Sequence, residues 1–115
     1  MRNYEIYLND ILESIERIQR SIKNIEKSGF KKNIDIQDAI IRRIQIIGEA
    51  VKNIPLELKK KYSNVEWDKI AGTRDIVTHA YFKINLDIIW DIVINKLPDL
   101  KDNIKKVLEK EHRKK

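Results

Sequence analysis

An arginine, a histidine and a tyrosine fall within eight residues of this chain, in the segment Arg74-Asp75-Ile76-Val77-Thr78-His79-Ala80-Tyr81. Arginine can hold a phosphate through a forked pair of charge-assisted hydrogen bonds. Histidine can transfer protons near neutral pH. These residue types indicate chemistry at a phosphodiester, which points toward RNA.

Cleavage of RNA without a metal needs a base for the 2′-hydroxyl, an acid for the departing 5′-oxygen and a cation for the phosphorane. Acid–base help contributes about 10²–10⁴-fold per group, and electrostatic stabilisation is often the largest contribution. Arg74 would stabilise the phosphorane and His79 would transfer protons. The chain has only one other histidine, His112. We therefore expect a homodimer whose two-fold interface supplies two copies of each residue.

The spacing of Arg74 and His79 has a simpler interpretation, because such a pair on a helix is more often a salt-bridged surface pair. Five residues turn a helix by about 140°, so the two side chains do not share a face. They converge only if the helix ends near His79 or if a second copy supplies the complement.

Two acidic residues are candidates for supporting roles. Asp75 either satisfies a nearby cation or orients Arg74 or His79. Glu49 stands among apolar neighbours, and a buried carboxylate demands a partner, for which Arg74 is a candidate. The neighbouring pair Arg42-Arg43 fits either phosphate contacts or solvated surface charges.

The composition predicts one globular domain spanning residues 1–115, with 42% apolar and 37% charged residues. The absence of cysteine excludes disulfides and thiolate zinc sites and fits a reducing compartment.

We expect a cytoplasmic protein without membrane contact, since the sequence shows neither a secretory signal nor an apolar run near the ~20 residues that cross a bilayer. The formal charge of +6 favours anionic partners or reflects a lysine-rich bias. No metal-ligand spacing occurs, so we expect no metal and no cofactor.

The hydrophobic periodicity predicts an all-α fold. A first helix is expected from about Tyr4 to Ser28, with Gly29 as a left-handed stop. Asp35 is the expected cap of a second helix, in which Gly48 permits close helix contact. Pro55 should end that helix and open a short one.

The second half of the chain predicts two further long helices. The segment 63–66 resembles a capping box, which opens a helix from about Val65 to His79. A turn is expected at 81–84, because Asn85 resembles the next cap. Pro98 should kink or restart the last helix, and 109–115 reads as a frayed basic tail.

An ordered set of motifs resembles the HepT-like branch of the HEPN superfamily over roughly Asp38 to Ile104. The matching segments are Ile47-Gly48-Glu49-Ala50-Val51, Pro55, Trp67-Asp68-Lys69-Ile70-Ala71-Gly72, the segment from Arg74 to His79, His79-Ala80-Tyr81-Phe82, Trp90 and Leu97-Pro98-Asp99-Leu100. The resemblance implies an up-and-down bundle of four to five helices that dimerises. It also implies a metal-independent ribonuclease, the toxin of a type VII-like toxin–antitoxin system.

The same resemblance assigns roles to individual residues. The family's Arg-x4-6-His motif falls on Arg74 and His79, and Asp75 stands where many relatives carry asparagine. Tyr81 completes the form Arg-x4-His-x-Tyr. The implied partner is a minimal nucleotidyltransferase antitoxin that transfers AMP from ATP onto this tyrosine, alone or within a larger hetero-complex. Added phosphate near His79 would then repel and block RNA.

Two other functions fit the same sequence. A non-catalytic module could bind a nucleotide, or serve as the binding partner of a nucleotidyltransferase, through the same motif. A purely structural dimeric bundle would explain the isoleucine stripes but leaves Arg74, His79 and Tyr81 without a purpose. Toxicity on expression would favour the nuclease over the binding module.

Overall fold

A computed structural model describes residues 3–79 and 85–113, and every regular element in these ranges is helical. The elements are α1 (Asn3–Ser21), α2 (Lys27–Lys32), α3 (Ile34–Lys52), α4 (Leu56–Lys61), α5 (Trp67–His79), α6 (Leu86–Asp91), a π-helical segment (Ile92–Lys96) and α7 (Leu97–Arg113). The last three follow one another without a break. The prediction of an all-α bundle is therefore confirmed, whereas the homodimer and the extent of the domain stay predictions.

The helices share one hydrophobic core, in which α3 packs against α1 and α5, and α1 also packs against α7. Apolar side chains at helical spacing supply the most buried residues of α1: Leu8, Ile11, Ile15 and Ile18. A similar row along α3 and just beyond its end adds Ile40, Ile44, Ile47, Val51 and Ile54. Within the described ranges, no helix combines the length and the apolar character that a membrane crossing requires.

The predicted end of the first helix is wrong. Helix α1 ends at Ser21, and Gly29 lies inside α2 without a positive φ, so it is not a left-handed stop. Phe30 explains the extra helix, because α2 buries this ring completely and sets it 5.2 Å from the ring of Trp90.

The predicted cap of the second helix is also wrong, by two residues. The N-cap of α3 is Asn33, whose side-chain oxygen accepts a hydrogen bond from the backbone N–H of Ile36 at 3.1 Å. Asp35 lies in the first turn instead, where a carboxylate favours the positive end of the helix dipole. The predicted short helix after Pro55 is present and continues to Lys61.

Helix starts in the second half are close to the predictions. Helix α5 begins at Trp67, two residues later than expected, and the Trp67 indole N–H donates to the backbone oxygen of Tyr62 at 3.0 Å. Asn85 caps α6 as predicted, accepting from the N–H groups of Asp87 and Ile88. The turn expected at 81–84 lies outside the described residues.

The predicted irregularity near Pro98 takes the form of the π-helical segment. Its last bond runs from the Leu97 N–H to the Ile92 oxygen, five residues back. Pro98 has no N–H to donate into the preceding turn. The wider register therefore appears where an ordinary α-helical bond is missing.

The expected frayed tail at 109–115 is wrong for the residues that the structure describes. Helix α7 continues to Arg113, and Glu111 within it is only 3% exposed. Its carboxylate accepts hydrogen bonds from Lys61 and from the hydroxyls of Tyr4 and Tyr62. These partners come from distant parts of the sequence, which explains why local charge alone predicted fraying.

Candidate functional site

Gly48 sets the position of Arg74. An added Cβ at Gly48 would lie 2.4 Å from the Cβ of Arg74 and 3.4 Å from its Cα. Any larger residue would force α3 and α5 apart at this crossing. The predicted role of Gly48 in close helix contact is thus confirmed, and the contact is with the proposed phosphate-binding arginine itself.

The guanidinium of Arg74 bridges two carboxylates. Its Nη2 lies 3.3 Å from Oε1 of Glu49, and its Nη1 lies 3.6 Å from Oδ1 of Asp75. The Arg74 side chain is 31% exposed, so solvent reaches the group. Arg74 is the partner expected for Glu49, but the expected burial of Glu49 is wrong, because its side chain is 54% exposed.

Helix geometry explains the exposure of Glu49. Its neighbours Ile47, Gly48, Ala50 and Val51 are buried, while position 49 turns outward at the edge of α3. An apolar sequence neighbourhood therefore does not imply a buried carboxylate when the helix presents that position to the side.

Asp75 joins the same polar edge through a second cation. Its Oδ1 lies 4.0 Å from Nζ of Lys52, so two cations and two carboxylates alternate along the edge. Exposed ion pairs of this kind contribute only about 0–1 kcal/mol each. Such weak ion pairs orient the Arg74 side chain but can be exchanged. An incoming phosphate could therefore replace Glu49 on the guanidinium.

An open cleft of about 460 Å³ lies beside Arg74, between α1, α3 and α5. Other side chains that line it are Tyr7, Asp10, Arg42, Gln45, Ile46, Glu49, Ala50 and Asn53. No local pattern in the sequence indicates Tyr7 or Asp10, since helix packing alone brings α1 to this place. Arg42, for which the sequence allows a phosphate contact, lines the same cleft as Arg74.

The other two residues of the motif are only partly covered by the structure. His79 is the last residue of α5, and its side chain is outside the described part. Tyr81 lies outside the described residues altogether. The structure therefore brings Arg74, Glu49 and Asp75 together, while the roles of His79 and Tyr81 stay predictions.

The side of α5 that faces away from the core is open and partly apolar. Nothing lies within 4 Å of a Cβ built on Gly72, Ile76 is 46% exposed, and Ile88 on α6 is 44% exposed. Ile76 and Ile88 line one groove of about 550 Å³. Position 79 follows position 76 by less than one turn, at about 60° around the helix.

No metal site is visible in the residues that the structure describes. Their histidine, aspartate and glutamate side chains form no group of three that could hold an ion.

Comparison with known proteins gives the site a family context. Residues 11–107 match the family model described as Ribonuclease HepT-like. A Caldanaerobacter subterraneus protein named as a candidate RNase is 40% identical over 111 residues, which are 96% of this chain and 99% of that protein.

Two further relatives differ in length and in similarity. A Methanocaldococcus jannaschii protein, named as a gamma-glutamylcyclotransferase and candidate RNase, is 44% identical over 108 residues, 94% of this chain but 49% of that protein. The chain thus spans about half the length of that relative. A Shewanella oneidensis protein named mRNA nuclease HepT is 26% identical over 127 residues, covering 84% of this chain and 96% of that protein. No solved structure matches the chain significantly.

Proposed function

Because this chain belongs to the HepT-like ribonuclease family, we propose that it is a metal-independent RNA endonuclease that acts through Arg74 and His79 at a dimer interface. The observation that carries the proposal is the placement of Arg74. The guanidinium is solvent-accessible, fixed by the crossing at Gly48 and bordered by an open cleft. An arginine held in this way suits a phosphate that gains charge during reaction.

The proposed reaction is attack by a 2′-hydroxyl on the neighbouring phosphorus. One His79 removes the proton from the 2′-oxygen, and a second protonates the 5′-oxygen as its bond to phosphorus breaks. The products are a 2′,3′-cyclic phosphate and a 5′-hydroxyl. Arg74 stabilises the extra negative charge of the phosphorane. Glu49 and Asp75 orient the guanidinium until the phosphate displaces one of them.

The dimer is proposed to form through the open side of α5. Ile76 and Ile88 are exposed, and nothing lies within 4 Å of a Cβ built on Gly72. A second copy could therefore bury this apolar surface, and burial of apolar area drives association. Two copies meeting here would bring both α5 helices, and both copies of position 79, to one interface. This arrangement supplies a second histidine at the interface, while Arg74, about 140° from position 79 around α5, would reach the scissile phosphate from the adjoining cleft.

We further propose that the protein is the toxin of a toxin–antitoxin pair and that modification of Tyr81 silences it. A partner nucleotidyltransferase would direct the tyrosine oxygen onto the α-phosphorus of ATP, forming a phosphodiester and releasing pyrophosphate. The new phosphate would stand two residues from His79 and repel RNA. Mass spectrometry after incubation with a cognate nucleotidyltransferase and ATP should show one AMP per chain, absent in Tyr81→Phe and retained in Tyr7→Phe.

The nuclease proposal is tested by incubating wild type, Arg74→Ala and His79→Ala with cellular RNA in the presence of a chelator. Messenger RNA is the first substrate to assay, given the name of the Shewanella relative. We expect cleavage by wild type only, and none of a substrate that lacks 2′-hydroxyls. His112→Ala is the matched control, because it removes the only other histidine and should cleave normally. Equal cleavage by all four proteins would rule the mechanism out.

A further inference from the structure

An arginine-rich groove extends away from the Arg74 cleft along the outer junction of α1 and α3. A second open depression of about 410 Å³ lies in this junction, lined by Arg17, Arg20 and Arg43 together with Ile18, Ser21, Ala39 and Ile40. With Arg42 from the first cleft, four arginines occupy one seam between two helices. We call Arg17, Arg20, Arg42 and Arg43 the arginine track.

The two depressions lie on one continuous face. On α3 most of the lining positions (39, 42–43, 46, 49–50 and 53) recur every three or four residues along one side of the helix, with Ile40 and Gln45 beside them. On α1 the lining positions are 7 and 10 in the first cleft and 17, 18, 20 and 21 in the second depression. The two depressions adjoin on α3, where Arg42 of the first is followed directly by Arg43 of the second.

The track carries positive charge that the fold does not use. Arg17 is paired with Glu13 at 2.9 Å. Arg20, Arg42 and Arg43 make no ion pair with any residue that the structure describes. Carboxylates also lie near the track: Glu13 pairs with Arg17, Asp10 and Glu49 line the first cleft, and Glu16 lines another depression together with Arg20. Unpaired guanidinium groups ranged along a groove suit a polyanion.

We propose that the arginine track binds the phosphate backbone of the RNA strand that flanks the scissile bond. This inference rests on the proposed nuclease function and adds to it a surface that holds substrate. From Glu49 to Ala39 the groove runs about 15 Å along α3. That length matches about four nucleotides of a helical strand at about 3.4 Å each. Because the track would contact phosphates, it would bind without base preference. It would also bind nucleotides that lie beyond the catalytic site.

The test uses Arg20→Gln/Arg43→Gln, since neither side chain borders the cleft beside Arg74. Binding is followed by fluorescence anisotropy with a labelled 2′-O-methyl RNA of about 12 nucleotides, which no 2′-hydroxyl attack can cleave. We expect affinity about tenfold lower than wild type. The slope of log affinity against log salt should become shallower by about 1.4, or 0.7 for each lost phosphate contact.

Matched variants separate binding by this groove from a general loss of charge. Lys59→Gln/Lys60→Gln on α4 removes the same charge elsewhere and should leave affinity and slope near wild type. Arg20→Lys/Arg43→Lys should restore most of the slope. The inference would be overturned if Arg20→Gln/Arg43→Gln bound RNA with the affinity and salt dependence of wild type. It would also be overturned if Lys59→Gln/Lys60→Gln lost as much affinity.

Cleavage assays keep this inference separate from the nuclease proposal. Arg20→Gln/Arg43→Gln should raise KM for long RNA with little change in kcat, and should cleave a trinucleotide as wild type does. If wild type cleaves nothing but the binding difference appears, the track stands without the nuclease. If wild type cleaves RNA and Arg20→Gln/Arg43→Gln has the same KM for long RNA, RNA binding by the arginine track is refuted and the nuclease proposal stands.

Discussion

Three donors from two other parts of the bundle converge on the carboxylate of Glu111. The ammonium of Lys61 lies at 2.7 Å, the hydroxyl of Tyr62 at 2.5 Å and the hydroxyl of Tyr4 at 3.0 Å. The hydrogen bonds from Lys61 and Tyr62 lower the pKa of Glu111 from 4.5 to about 2. Burial, together with the hydrogen bond to Glu111, raises the pKa of Tyr62, which keeps its hydroxyl protonated as a donor.

Replacement of Glu111 by glutamine should destabilise the fold by about 1–3 kcal/mol at pH 7. The amide cannot balance the ammonium of Lys61, and its NH₂ group offers a donor where donors already point. The free energy of unfolding from urea titration measures the loss. Glu109→Gln is the control, because Glu109 is exposed on the same helix, and it should change stability by less than about 0.5 kcal/mol.

The same carboxylate makes a pH prediction. Its pKa is lower in the folded chain than in the unfolded chain, so its stabilisation is complete above about pH 5 and declines as pH falls toward 2. The shift bounds this contribution at about 3 kcal/mol. The stability difference between wild type and Glu111→Gln should therefore shrink between pH 6 and pH 3. A difference that stays constant over this range would contradict the assignment.

At the scale of helices, the crossing of α3 and α5 decides where the proposed catalytic arginine stands. Gly48→Ala should cost about 1–3 kcal/mol from overpacking, only partly offset by the about 0.5–1 kcal/mol that alanine gains in a helix. It should also lower cleavage by displacing Arg74. Differential scanning calorimetry and the RNA assay check the two effects.

Gly29→Ala provides the matched control for this prediction. Gly29 is also helical, but an added Cβ would meet only the side-chain atom Cγ2 of Ile25, at 3.2 Å. A side-chain end can move where a packed backbone cannot. We expect stability near or above wild type and unchanged cleavage. If both glycine variants behave alike, the crossing at Gly48 does not position the site.

The accuracy of the sequence predictions differs between helices for physical reasons. The periodic isoleucines of α1 and α3 specified their buried faces, because burial repeats with the helix period. The cap at Asn85 is a local interaction and was likewise predictable. The role of Glu111 was not, since its partners Tyr4 and Lys61 are 107 and 50 residues away in sequence. The same holds for α2, which exists to bury Phe30 against Trp90.

The candidate site likewise combines features that local sequence predicts with features that depend on long-range packing. The motif identified Arg74, whereas its pairing with Glu49 was expected on the premise of a buried carboxylate, and Glu49 is 54% exposed. The cleft beside Arg74 was not predictable, since Tyr7 and Asp10 reach it from α1 through packing alone. The arginine track likewise joins Arg20 and Arg43 from two helices, and their sequence separation conceals the groove that they share.

At the scale of the whole molecule, the two proposed surfaces differ in chemistry. The groove of α1 and α3 is rich in arginine, whereas the open side of α5 carries exposed isoleucines around Gly72. A charged groove suits a polyanion, and an apolar patch suits a protein surface. A dimer formed through α5 would leave both grooves free to carry RNA toward the shared site.

If the apolar side of α5 forms the dimer, a charge placed there should prevent dimerisation. Ile76→Lys should yield a folded monomer, because a lysine desolvated against a second copy is costly, whereas in a free chain its ammonium stays in water. Cleavage should fall with dimer content, since each monomer would lack the second His79. Sedimentation equilibrium, circular dichroism and the RNA assay measure mass, folding and activity. Leu56→Lys changes an apolar residue that is 64% exposed on α4, and it should remain dimeric and active. A monomeric wild type that cleaves RNA, or an Ile76→Lys dimer with full activity, would show that α5 does not form the interface.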